Sequence, residues 1–238
     1  GQKISIISAK PQTTRNRILG IHNAEGLQAV LVDTPGVHQA KGRLNRAMVG
    51  MATDALEGVD AVCWVLDASR PAHRLASGAP PENVLSKADS RILSLISRSG
   101  VDKVSIALNK IDLLSRAALL PLIAALSAKI PGAEIVPISA LKNGEDRFIG
   151  GVDRLVSVWK SQLPESPALY PDDQITDVSE RFVVSELIRE KIFNLTRQEV
   201  PYATAVEIEK FVEEPREGKP PLFRIMARIM VERDSQKG

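Results

Sequence analysis

Four short apolar runs, separated by longer amphipathic stretches, constrain this chain most. They are Val30–Val32, Ala61–Leu66, Val104–Leu108 and Ile135–Ile138. Unbroken runs of this length read as strands covered on both faces, the condition of a parallel sheet sandwiched by helices. Between and after them lie segments of helical character, roughly Leu44–Glu57, Glu82–Arg98, Arg116–Lys129 and Asp146–Gln162. Strand–helix alternation predicts an α/β doubly wound domain over residues 1–163. Such sheets bind ligands outside the carboxyl ends of their strands, so chemistry is sought just after each run.

Composition narrows the choice of chemistry. A single cysteine, Cys63, excludes a disulfide framework and a Cys-rich zinc site, and Cys63 with Trp64 reads as core. His22, His38 and His73 stand far apart, without metal-ligand spacing, and read as surface residues. The longest apolar stretch, Ala117–Leu126, contains Pro121 and is too short to span a bilayer. Lys and Arg total 31 against 29 Asp and Glu, a balance that neither demands nor excludes nucleic acid. The expectation is a soluble, reduced, cytoplasmic protein.

A second unit follows. Residues 164–176, with Pro164, Pro167 and Pro171, read as a linker. A helix is expected with Asp177 as N-cap and Glu180 at the capping-box spacing, burying Val184, Leu187, Ile188, Ile192 and Leu195. Two period-2 segments come next, Ala203–Val212 and Leu222–Val231, joined by a loop over Glu214–Pro221. Glu186, Arg189 and Glu190 read as a solvated helix face with a weak claim to RNA contact.

Three of the apolar runs end in informative residues. Val30–Val32 is followed by Asp33-Thr34-Pro35-Gly36, Val104–Leu108 by Asn109-Lys110-Ile111-Asp112, and Ile135–Ile138 by Ser139-Ala140-Leu141. A D-x-x-G alone is close to a chance occurrence; N-K-x-D is rarer, and the ordered set at strand ends is specific. Order and spacing resemble the nucleotide site of Ras-like P-loop GTPases. An Asp ending a strand can hold Mg²⁺ through water, and a Gly after the turn offers an unhindered N–H to a γ-phosphate. A carboxylate at Asp112 accepts from the N1–H and 2-amino group of guanine. Adenine would instead turn a lone pair toward it, at a cost of several kcal/mol. Asn109 ties neighbouring loops, the stem of Lys110 covers the base, and the Ser139-Ala140 backbone meets the guanine O6. Upstream, Thr14, or its neighbour Thr13, is the candidate hydroxyl for Mg²⁺ when triphosphate is bound. Thr14 and Gly36 are therefore the candidate catalytic positions, and Thr14 with Asp33 the metal site. Val37 is apolar where Ras-type enzymes orient water with Gln, so slow intrinsic hydrolysis is expected.

The motifs around Gln2–Ile6, Gln12–Arg15, Gly20-Ile21 and Asp33–Gly36, with Ile175–Asp177, Glu186–Lys191, Val206–Glu209 and Val231–Lys237, resemble the Era family of GTPases over nearly the whole chain. The resemblance implies a Ras-like G domain using GTP/GDP and Mg²⁺, a linker over 164–176, and a partial α+β type II KH domain over 177–238. It also implies a role in small-subunit ribosome assembly through small-subunit ribosomal RNA, and peripheral contact with the inner face of the cell membrane. The family's G-x-x-x-x-G-K-[ST] and KH G-x-x-G are absent from these residues. The expectation is thus a piece of a longer protein, lacking its first strand and phosphate loop and inactive alone. A non-catalytic RNA-binding scaffold with a degenerate G domain is the alternative, and a GTPase of the same broad family acting on other RNA is a third reading.

Overall fold

The computed structural model describes residues 4–8, 14, 17–34, 50–142, 151–196 and 200–233. The chain divides into two compact units, residues 24–29 with 37–169, and residues 1–23 with 30–36 and 170–238.

In the first of these, β3 (Val62–Asp67), β4 (Val104–Asn109) and β5 (Glu134–Pro137) form a parallel sheet in the order β3-β4-β5. The register sets Val62 against Val104 and Asp67 against Asn109, so two strands end at one level. Central β4 is wholly buried from Ser105 to Leu108, as a strand covered on both faces must be. Its alternation divides the core. Ile106 and Leu108, with Trp64 and Leu66, face α1 (Ser69–Ala76), α2 (Lys87–Ser99) and α3 (Arg116–Lys129) through Ala72, Ile96, Leu122 and Leu126. Ala107 points the other way, with Val136 and Ile138, onto Leu155 and Val158 of α4 (Val152–Gln162). Each large aliphatic buried in this way contributes about 1.5–3 kcal/mol.

Helix α3 spans the residues expected of it. The stretch expected to be helical from Glu82 is instead a short 3₁₀ turn, Pro81–Asn83, followed by α2. The reason is a capping box at Ser86: its hydroxyl accepts from the Asp89 N–H (3.1 Å) and the Asp89 carboxylate accepts from the Ser86 N–H (3.1 Å). Helix α1 was not anticipated. Of Leu44–Glu57, residues 50–54 are helical and residues 44–49 lie outside the described set. Residues 146–150 lie outside it too.

Val30–Val32 falls in β2 (Leu27–Asp33), but not in the parallel sheet. It pairs with β1 (Ile18–Ala24) as a separate two-stranded sheet, and Ala29 is the only buried residue of β2. A two-residue turn at Glu25-Gly26, with Gly26 at φ 63°, makes this hairpin local.

In the second unit, part of the segment read as linker is tied to β1. The Ile21 N–H donates to the Ile175 carbonyl (2.9 Å), and the Thr176 hydroxyl donates to the Leu19 carbonyl (2.6 Å). Helix α5 (Glu180–Leu195) is capped by Ser179, whose hydroxyl accepts from the Phe182 N–H (3.3 Å); Asp177 is not the cap. Its buried face also differs from expectation. Leu187 and Leu195 are exposed, whereas Arg189 (4% exposed), Glu190 (7%) and Phe193 are buried. Glu186, Arg189 and Glu190 are therefore not a solvated face. Arg189 grips Glu186 with two hydrogen bonds of 2.7 and 2.6 Å, and the Glu190 carboxylate accepts from the distant Ile7 N–H at 3.1 Å.

Strands β6 (Thr204–Arg216) and β7 (Lys219–Val231) form a long antiparallel hairpin. The loop expected over Glu214–Pro221 is only the Glu217-Gly218 turn, with Gly218 at φ 66°. Gly218, Pro220 and Pro221 suggested a loop, but the prolines sit where the ladder is irregular. Glu214 pairs with Leu222 and Arg216 with Lys219, so Pro215, Pro220 and Pro221 fall between two paired positions. Arg224 and Arg228 do share a face, and they pair across the ladder with Glu214 and with Glu207 and Glu209.

Candidate nucleotide-binding site

At the end of β4 the backbone turns sharply. Lys110 adopts φ 66°, the one non-glycine residue with positive φ among those described. That conformation costs a lysine roughly 1 kcal/mol, and surrounding bonds hold it there. The Asn109 side-chain carbonyl accepts from the Lys110 N–H (2.8 Å) and from the Ala140 N–H (3.0 Å). The Asn109 main-chain carbonyl accepts from the Ala68 N–H (2.8 Å). One residue therefore ties together the ends of β3, β4 and the segment after β5.

Ile111 is buried in the core and anchors a 3₁₀ turn, Ile111–Leu113, that carries Asp112. The Ser139 hydroxyl donates to Asp112 Oδ1 (2.8 Å) and accepts from the Lys142 N–H (3.2 Å). Ser139 is itself buried, so the carboxylate is oriented by a rigid donor. The Ala140 N–H donates to Asn109, and Leu141 stands 86% exposed. Asn109, Lys110, Ile111, Asp112, Ser139 and Ala140 are thus brought into one bonded cluster. A carboxylate acceptor held at the carboxyl edge of a parallel sheet fits the N1–H and 2-amino pair of a guanine.

Asp67 belongs to this cluster and was not singled out from the sequence as a site residue. Its Oδ1 accepts from the Ser69 N–H (3.0 Å) and hydroxyl (2.6 Å); its Oδ2 accepts from Lys110 Nζ (2.9 Å). Burial pushes the carboxyl up, but the Ser69 and Lys110 bonds outweigh it, and the group is held below the ordinary carboxylate range. The available signal was the one used for Asp33 and Asn109, a polar residue closing a strand.

In the other unit, Asp33 closes β2, and its Oδ2 accepts from the Thr14 hydroxyl (3.2 Å) and the Ser5 hydroxyl (2.9 Å). Thr34 follows, half-buried. Hard oxygens of this kind suit Mg²⁺, so the donor set fits the ion. Ser5 was not anticipated. Thr13, Pro35, Gly36 and Val37 lie outside the described residues. Among the described residues there is no group of three or more His, Cys, Asp or Glu that could hold a metal ion.

The parallel sheet with N-K-x-D and S-A loops at its carboxyl edge defines a Ras-like guanine-nucleotide-binding protein. The comparisons agree. Residues 1–110 match the family model described as a 50S ribosome-binding GTPase. The chain is 46% identical over 238 residues to the GTPase Era of Geobacter metallireducens, spanning all of this chain and 72% of that protein. It is 39% identical to the GTPase Era of Staphylococcus haemolyticus, again over all of this chain and 72% of the relative. A crystal structure of Era in complex with MgGDPNP and nucleotides 1506–1542 of 16S ribosomal RNA matches with a TM-score of 0.83 and 35% identity, over 99% of this chain and 72% of that one. Aquifex aeolicus Era bound to GDP and AlF₄⁻ matches equally, with 73% of that chain covered. The chain belongs to the Era family of GTPases.

Proposed function

We propose that this protein binds GTP and GDP with Mg²⁺ and couples GTP hydrolysis to binding of small-subunit 16S-type ribosomal RNA during ribosome assembly. The observation that carries the nucleotide half is the Asn109–Asp112 loop bonded to Ser139 and Ala140. Asp112 reads the guanine, Asn109 fixes the loop, Lys110 covers the base, and Asp33 with Thr14 holds Mg²⁺. The bound Mg²⁺ would neutralise charge on the phosphates, while Gly36 offers its N–H to the γ-phosphate. The loop carrying Thr13 and Thr14 orders when triphosphate is present and relaxes after hydrolysis.

The RNA half rests on the Era complex with nucleotides 1506–1542 of 16S ribosomal RNA, and on the KH character that the resemblance gives to residues 177–238. Since Arg189 and Glu190 are buried, they support the fold of α5 rather than the RNA contact. The expected setting is the cytoplasm, with peripheral contact at the inner face of the membrane as the family resemblance implies. Among the described residues, no helix is long and apolar enough to cross a membrane.

The test is fluorescence anisotropy with an RNA of the 1506–1542 sequence and a scrambled RNA of equal length. Tighter binding of the first, altered when a GTP analogue replaces GDP, is expected. Equal affinity for both RNAs, unresponsive to nucleotide, would overturn the reading.

A further inference from the structure

The two oxygens of Asp67 have separate partners. Oδ1 accepts from Ser69 at the start of α1, whereas Oδ2 accepts only from the Lys110 ammonium among the bonds of the described residues. The strand register explains why the reach is so short: Asp67 lies opposite Asn109, one residue before Lys110. Asp67 is the shielded partner, its side chain 25% exposed against 53% for Lys110. The Lys110 backbone is fixed by Asn109, so the remaining freedom is that of a flexible four-carbon stem. Fixing Nζ removes that freedom.

We propose that Asp67 is a positioning residue for guanine binding, acting through Lys110. By anchoring Nζ it holds the lysine stem across the end of β4 before the base arrives, so the stem's ordering is not charged against binding. The Ser69 bonds to the other oxygen hold Asp67 itself in place. This inference rests on the reading of the β4 and β5 ends as the guanine site.

Asp67→Asn separates the two jobs. An amide can keep its oxygen toward Ser69 and the helix start, but it presents no charge to Lys110. Two measurements on the full-length protein test the idea. In the first, the lysines are acetylated under limiting reagent without nucleotide, and Lys110 modification is quantified by mass spectrometry. Asp67→Asn is expected to raise the Lys110 rate several-fold and leave Lys87 and Lys103 unchanged. In the second, a fluorescent GDP is titrated into the unsubstituted chain, Asp67→Asn, Lys110→Met and the double variant. Asp67→Asn is expected to weaken GDP about two- to fivefold, and to add nothing in the Lys110→Met background.

An unchanged Lys110 rate overturns the proposal. So does an equal loss of affinity in both backgrounds, which would mean that Asp67 only supports α1. Absence of GDP binding by the unsubstituted full-length protein, with Lys110 labelling still dependent on Asp67, overturns the guanine reading instead.

Discussion

The Asn109 side-chain carbonyl accepts from the backbone N–H of Ala140 at 3.0 Å, joining the end of β4 to the segment after β5 through one atom. The same oxygen accepts from the Lys110 N–H, so it also stabilises the left-handed turn that sends the chain toward Asp112. Asn109→Ala removes the one oxygen that accepts both bonds and leaves a strained turn without that support. A loss of guanine-nucleotide affinity of about tenfold or more is expected, at about 1 kcal/mol for each bond. Calorimetric titration with GDP checks it, and a value within twofold of the unsubstituted chain would show that the tie is dispensable.

Glu186 and Arg189 make a different prediction, because their pair is buried. Their side chains are 12% and 5% exposed, and removing Glu186 takes two charge-assisted hydrogen bonds from a buried guanidinium. Glu186→Ala is expected to cost about 3 kcal/mol in stability, measured by denaturant unfolding of the chain. A solvated pair would cost well under 1 kcal/mol. A loss in that lower range would contradict the buried role.

Asp67 gives the pH dependence. Its carboxyl is held below the ordinary range in the folded chain, so its contribution is present above the unfolded pKa and is lost as pH falls through the folded value. At neutral pH, Asp67→Asn is expected to cost about 0.5–1 kcal/mol, a modest figure because Lys110 is half in solvent. Below the folded pKa the unsubstituted carboxyl is neutral as well, and the two proteins should converge. Urea unfolding at neutral and strongly acidic pH measures this; a gap that does not narrow would remove the charge from the account.

Much of this was legible in the sequence for a physical reason. β4 is covered on both faces from Ser105 to Leu108, and there the apolar pattern reports burial directly. The strand-end motifs were legible because each needs a particular functional group at a particular turn. What was missed depends on long-range compensation. β1 carries Gly20, His22 and Asn23, which read as loop until a partner strand is known. The burial of Glu190 is matched by the Ile7 N–H, 183 residues away, and no periodicity reveals that. The prolines near Gly218 look like a loop because pattern reading does not anticipate an irregular ladder that accommodates residues without N–H groups. Asp67 was overlooked because its role lies in a neighbouring strand's lysine rather than in a motif of its own.

The central claim is that Asp112 reads guanine, and exchanging its chemistry tests it most directly. Asp112→Asn replaces one acceptor with a donor, which suits the 2-oxo group of xanthine and opposes the 2-amino group of guanine. Competition titrations of the full-length protein with GTP and xanthosine triphosphate should show GTP weakened about 100-fold or more, with the xanthine nucleotide gaining correspondingly. Unchanged preference for GTP in Asp112→Asn would contradict the account and remove Asp112 from its role.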